Sequence, residues 1–143
     1  MARVSDAVAS VKELNAHERA FLDNPFVGVV TDLRPDGSPH STVVWVDVDD
    51  DGPSFNTAWP RAKPRYLDAD PRVSLVVLDP QDPYRWIAIT GTTTMTDNGA
   101  NDQIDRLSHK YTRREKYASH REGETRVSVR ISPTRIESRG IDD

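Results

Sequence analysis

Phe26-Val27-Gly28-Val29-Val30-Thr31, then Arg34-Pro35-Asp36-Gly37-Ser38, then Ser41 through Val48: the reading of this stretch decides the fold. The first run is short and β-branched, the second is turn chemistry, and the third is β-branched again. Strand, reversal and returning strand make an antiparallel hairpin. Asp49-Asp50-Asp51-Gly52-Pro53 closes a second hairpin onto a short third strand, Ser54 to Thr57. By connection length alone, the three strands are antiparallel neighbours.

Upstream, Asn15-Ala16-His17-Glu18 reads as a capping box, with a helix carrying Phe21 and Leu22 inward until Asn24-Pro25 stops it. Residues 1–14 are expected to be a tail or a loosely docked helix bearing Val8 and Val11, and residues 15–143 one domain. Downstream, a short helix is expected over Pro60 to Ala69, ended by Asp70-Pro71. Val73 to Leu78 is a continuous apolar run, as for a strand buried on both faces. Arg85 to Met95 alternates Trp86, Ala88, Thr90 and Thr92 against Ile87, Ile89 and Gly91. A helix over Ala100 to Lys116 sets Ile104, Leu107 and Tyr111 on one face, and Thr125 to Ile131 is a last strand before Pro133. Six strands, two or three short helices and no βαβ alternation predict an α+β, mainly β, antiparallel barrel.

Composition narrows the chemistry. With 143 residues, the chain fits one domain. It has no cysteine, which excludes disulfides, thiolate nucleophiles and cysteine-held metals. There is neither a leader-like apolar stretch at the start nor a run long enough to span a membrane, so a cytoplasmic protein is expected, with no membrane partner. Nineteen basic against 23 acidic residues leave a net charge of −4, so no bulk field favours nucleic acid. Any anion site must be local.

One such site suggests itself. In Asn56-Thr57-Ala58-Trp59-Pro60-Arg61-Ala62-Lys63-Pro64-Arg65, Pro60 suits the first turn of a helix, and Arg61, Lys63 and Arg65 crowd that turn. A helix N-terminus disfavours cations by some tenths of a kcal/mol each, so their gathering there fits an anion socket, with free N–H groups assisting. The same residues also fit a solvated cationic patch neutralised by Asp68 and Asp70.

The order of these elements is distinctive: strand, Asp-Gly turn, a strand with Pro39-His40-Ser41-Thr42, Pro60-Arg61-Ala62-Lys63 opening a helix, and Asp70-Pro71-Arg72 closing it. From Asn15 to Ile136 this resembles the split-barrel flavin and deazaflavin reductases, the superfamily named after pyridoxamine 5'-phosphate oxidase, whose fold is an FMN-binding-type split β-barrel. Pro-Arg-x-Lys most resembles the deazaflavin-dependent FDOR-B branch of actinobacteria, which uses F(420). The resemblance implies that Arg61 and Lys63 grip the cofactor phosphate and that Asn56 and Thr57 line the same pocket. It implies that His40, Ser41, Thr42 and Val43 pass along the deazaflavin ring. It also implies a homodimer with shared sites, the partner contributing around Tyr84 and Trp86.

The activity implied is hydride transfer from reduced F(420) to an electron-poor acceptor such as an activated alkene, a quinone or a tetrapyrrole. No catalytic acid is nominated; bulk water or Thr42 supplies the proton. Arginine forks and an ammonium suit the phosphodiester and glutamate tail of that cofactor. Val43 stands where some relatives carry a polar side chain, and Trp59 is bulky; both bear on substrate choice. The alternatives are an FMN-dependent oxidase or reductase on the same barrel, and a non-enzymatic carrier or sensor of flavin, haem or tetrapyrrole.

Other candidates carry less. His40 is either structural or a pocket residue, and His17, His109 and His120 lack metal-ligand spacing, so no metal is expected. Asp49-Asp50-Asp51 lacks the pattern of a calcium loop and reads as a solvated hairpin tip. Ser38, Ser41 and Ser74 lack a nucleophile elbow. The basic and aromatic stretch His109 to Tyr117 reads as a charged helix end, with contact to a polyglutamate tail as a secondary possibility.

Overall fold

The computed structural model describes residues 10–142. In chain order the elements are α1 (Ala16–Leu22), β1 (Gly28–Leu33), β2 (Pro39–Val44), β3 (Val46–Asp49), β4 (Gly52–Trp59), α2 (Ala62–Ala69), β5 (Arg72–Asp79), β6 (Asp82–Thr96), α3 (Ala100–Thr112) and β7 (Thr125–Arg139). The seven strands form one sheet in the order β2-β1-β5-β6-β7-β4-β3, and every pairing is antiparallel.

The single strand expected over Ser41 to Val48 is in fact two. It breaks at Trp45: β2 pairs with β1, and β3 pairs with β4. Both expected hairpins exist, but they lie at opposite edges of the sheet. Since only Trp45 separates β2 from β3, the two edges must meet there, and the sheet must curl round to let them. That is the split barrel.

Inside the curl, Phe21 and Leu22 from α1 pack with Val30, Val46, Phe55, Leu75, Ile87, Ile89, Val129 and Ile131, all nearly or fully buried. The capping box forms as expected: Asn15 Oδ1 accepts from Glu18 N–H, and Glu18 Oε1 accepts from Asn15 N–H, both at 2.8 Å. Val8 lies outside the described residues. Val11 is exposed, whereas Leu14 joins the core and Lys12 N–H donates to Pro133 O.

Three further expectations are corrected. β5 is not buried on both faces: Val73, Leu75 and Val77 point into the core, but Val76 and Leu78 are more than 40% exposed on the outer face. The last strand does not end at Ile131 but runs through Pro133 to Arg139. Proline is tolerated there because the β6–β7 register shifts at Thr90/Gly91, opposite Pro133. Gly91 makes this possible, since a Cβ at that position would lie 2.1 Å from Ser132 O. Finally, α3 stops at Thr112 rather than Lys116, because Arg113 takes the left-handed conformation, φ 69°, and closes the helix through its N–H to His109 O. Among the described residues, no helix is long and apolar enough to cross a membrane.

Candidate functional site

The start of α2 differs from expectation in detail. Pro60 precedes the helix after a cis Trp59–Pro60 peptide, and Arg61 is the N-cap. The proline of the first turn is Pro64, where the missing N–H costs nothing because no intrahelical acceptor exists for it. No side chain caps this N-terminus, and no acidic residue lies in its first turn.

Arg61 and Lys63 point into a cleft of about 190 Å³. Its floor comes from Asn56 and Thr57 of β4, and one wall from Val43, Val44 and Trp45 at the β2–β3 corner. Ile104 and Leu107 of α3 make an apolar side. Tyr117 and Arg126 complete the opposite rim. Trp45 is held by stacking on Tyr111, with centroids 5.5 Å apart and 8° between planes, and by the edge of Tyr117.

Polar contacts order this cleft. Asn56 spends its amide nitrogen on Ala100 O and Gln103 Oε1, both at 2.9 Å, which leaves its Oδ1 to accept from Arg126 Nη1 at 3.3 Å. Gln103 in turn donates to Asp47 Oδ2 and Ser54 Oγ, so α3 and the β3–β4 hairpin fix the amide of Asn56. Arg61 Nε donates to Glu124 Oε2 at 2.6 Å. That bond raises the pKa of the guanidinium and holds the Glu124 carboxyl below its usual range. Burial lowers the pKa of the Lys63 ammonium, with Asp32 pulling it back up and Arg61 pushing it further down. Its Nζ lies 5.9 Å from the centre of the Phe55 ring.

Of the ten residues expected at the site, the cleft therefore gathers Val43, Asn56, Thr57, Arg61 and Lys63. The others lie elsewhere in a single chain. His40 Nδ1 is 2.7 Å from Asp32 Oδ1, and its ring meets Tyr66 edge-on. Ser41 faces outward and bonds the Thr31 hydroxyl. Thr42 Oγ1 is buried without a partner among the described residues. Tyr84 is 74% exposed, and Trp86 sits half-buried at the same end of β6.

Arg65, grouped with the socket by sequence, leaves it: Arg65 is exposed, donates to Arg61 O and lies beside the Tyr66 ring. Asp70, offered as a neutraliser, is taken by Arg72. The stretch His109 to Tyr117 is largely structural. Lys110 Nζ donates to Leu22 O and Val46 O, and Tyr111 Oη donates to Phe26 O and accepts from Val46 N–H.

Sequence reading missed Arg126, Glu124, Trp45, Ile104 and Leu107 as site residues, and noted Tyr117 only as part of a charged helix end. Arg126 gives no local signal. It falls out of phase with the inward Val127, Val129 and Ile131, so alternation assigns it to solvent. What buries it is α3 and Tyr117, which are distant in sequence.

Chemically, the cleft has cationic donors at one end and apolar walls at the other. It offers hydroxyls at Thr57 and Tyr117 but no histidine among its lining. It is equipped to bind and orient an anionic, partly apolar molecule.

Known proteins agree with this architecture. The model of the family described as pyridoxamine 5'-phosphate oxidase matches residues 14–140. No curated protein matches the chain at a significant level. Among solved structures, an F420 reductase superposes with a TM-score of 0.72 at 24% identity, over 83% of this chain and 94% of that one. A conserved hypothetical protein of Mycobacterium tuberculosis, Rv2991, gives 0.69 at 24% identity, over 92% and 88%. The haem storage protein HutZ of Vibrio cholerae gives 0.64 at 11% identity, over 91% and 97%. At these identities the likeness establishes the split-barrel fold. The family match, running from the approach to α1 almost to the end of the chain, establishes the lineage: the chain belongs to the pyridoxamine 5'-phosphate oxidase family.

Proposed function

We propose that the protein is an F(420)-dependent oxidoreductase that passes a hydride to an electron-poor small molecule. The observation that carries the reading is the convergence of Arg61 and Lys63 on one cleft whose other walls are apolar. Arg61 and Lys63 hold the phosphate end of the cofactor, with Asn56 and Thr57 beneath it. Val43, Trp45, Ile104 and Leu107 keep water from the ring end. The similarity to an F420 reductase supports the deazaflavin over FMN. Bound there, the reduced deazaflavin supplies the hydride; the chain supplies grip, orientation and shielding.

The donor set fits such a group: the first turn of α2 holds no acidic side chain, and two donor atoms of Arg126 have no hydrogen-bond partner among the described residues. Fluorescence titration of ligand-free protein with F(420) and with FMN tests the reading. F(420) is expected to bind more tightly, and Lys63→Ala to weaken it about tenfold or more, since a charge-assisted contact contributes about 1.5–3 kcal/mol. Tighter binding of FMN would transfer the assignment to a flavoenzyme. Ligand binding with no turnover of any acceptor would make the protein a carrier.

The same reading includes a homodimer whose second copy completes the site. Across the outer face, Val43, Val29, Val76 and Ala88 stand in register as one apolar row, with Leu78 and Trp86 paired beside it and Tyr84 exposed at its end. Val43, 66% exposed, belongs to both this row and the cleft rim, so a subunit covering the row also reaches the cofactor. Sedimentation is expected to show twice the 16.1 kDa chain mass, and Val76→Lys to halve it. A monomeric wild type would remove the shared site.

A further inference from the structure

Arg126 is a buried cation with donors to spare. Its side chain is 4% exposed, yet among the described residues neither Nε nor Nη2 has a hydrogen-bond partner. Only Nη1 is engaged, by Asn56 Oδ1, and the guanidinium carbon lies 4.6 Å from the Tyr117 ring centre. A buried guanidinium normally satisfies its fork, because idle charged donors away from water are costly. Here the side chain that carries these idle atoms lines the cleft that also receives Arg61 and Lys63.

Glu124 stands between the two arginines. Its Oε2 accepts from Arg61 Nε at 2.6 Å, while its Oε1 lies 3.6 Å from Arg126 Nη2, too far to bond, and is itself buried without a partner. One carboxylate thus faces two arginines and satisfies only one of them well. A planar carboxylate offers two oxygens. A tetrahedral oxyanion offers more acceptors, in directions that Arg126, Arg61 and Lys63 can meet together.

We propose that Arg126 and Arg61 form a two-arginine subsite for a phosphate-class oxyanion, with Glu124 as its resident substitute that yields Arg61 when the oxyanion enters. Insofar as that oxyanion is the phosphate of a cofactor, the inference rests on the function proposed above. It makes Glu124 a brake on affinity. The anion must displace an internal competitor, so the empty site keeps its cations apart from one another without accepting every passing anion.

The test uses inorganic phosphate on the full-length protein, followed by two-dimensional NMR of the arginine Nε–H signals, with acetate as the planar control. Phosphate is expected to move the Arg126 signal, identified by its loss in Arg126→Met, and acetate to leave it in place. Glu124→Gln is expected to bind phosphate about fivefold more tightly, and Arg126→Met about tenfold or more weakly, as for removal of a competing and of a direct charge. An Arg126 signal indifferent to phosphate, or a Glu124→Gln protein that binds no better than wild type, overturns the proposal. Should Arg126→Met not fold, loss of the signal in Arg126→Lys identifies it instead, and Glu124→Gln affinity still decides the proposal.

F(420) and FMN titrations separate the two claims. Phosphate bound at Arg126 without either cofactor binding keeps the subsite and removes the proposed function. A cofactor bound while the Arg126 signal stays unmoved does the reverse.

Discussion

Lys110 and Arg126 are both cations drawn away from water beside a tyrosine, and their surroundings treat them in opposite ways. Lys110 Nζ is tied to the carbonyls of Leu22 and Val46 at 2.8 and 2.7 Å, joining the end of α1 to the start of β3 from a position on α3. Its neighbour Tyr111 does the same work between Phe26 and Val46, and burial pushes its phenol up to about 12. Arg126 is buried more deeply than Lys110, and among the described residues most of its fork is unused. The difference teaches that burial of a charge does not by itself mark a functional residue. Unspent donors beside a cavity do.

The largest expected effect tests the structural half of this contrast. Lys110→Met leaves two carbonyls without their donor and should lower unfolding free energy by about 2–4 kcal/mol in urea. Its affinity for phosphate or cofactor should be unchanged. A melt superimposable on wild type would break the comparison. Arg126→Met should behave oppositely, losing affinity while shifting stability by no more than about 1 kcal/mol, because an apolar residue replaces an incompletely paired buried charge. If it unfolds as readily as Lys110→Met, Arg126 is a strut and not a reader of anions.

The smallest effect concerns Lys63. Burial lowers its pKa from the ordinary 10.5, so in the folded chain it loses its proton before a free lysine does. Anion affinity should therefore fall a few-fold as pH rises through that lowered value, about the loss of one screened contact among three. The unfolded chain keeps this proton up to the ordinary value, so the same titration favours the folded state as pH climbs through the window. Affinity that stays level until pH 10.5 would mean that Lys63 meets water freely.

Much of the barrel is legible in the sequence because it is local. The Asp36-Gly37 turn, the capping box at Asn15 and the inward Ile87 and Ile89 each follow from neighbours within a few residues, and all are observed. The break at Trp45 is not local. An unbroken β-branched run reads as one strand, and only the closing of the barrel assigns its halves to different edges. Likewise, Val76 and Leu78 read as core because apolar residues cannot announce which face lacks a cover.

At the site, Arg61 and Lys63 declared themselves by crowding the wrong end of a helix. Arg65, two residues on from Lys63, points away because that step carries it about 200° round the helix. Arg126 and Glu124 were invisible, since the helix and tyrosine that enclose this end of β7 come from elsewhere in the chain.

The corner at Trp45 has one more consequence. The cleft is built against the point where the first and last strands of the sheet are stitched together, with Val43 and Val44 on one side of the stitch and β4, partner of β3, on the other. A molecule resting there acts as a rivet through the seam of the barrel. Whatever fills the cleft therefore fastens the two margins of the sheet to each other, and the loaded protein should resist opening at its weakest line as well as gaining the ordinary stability of a bound ligand.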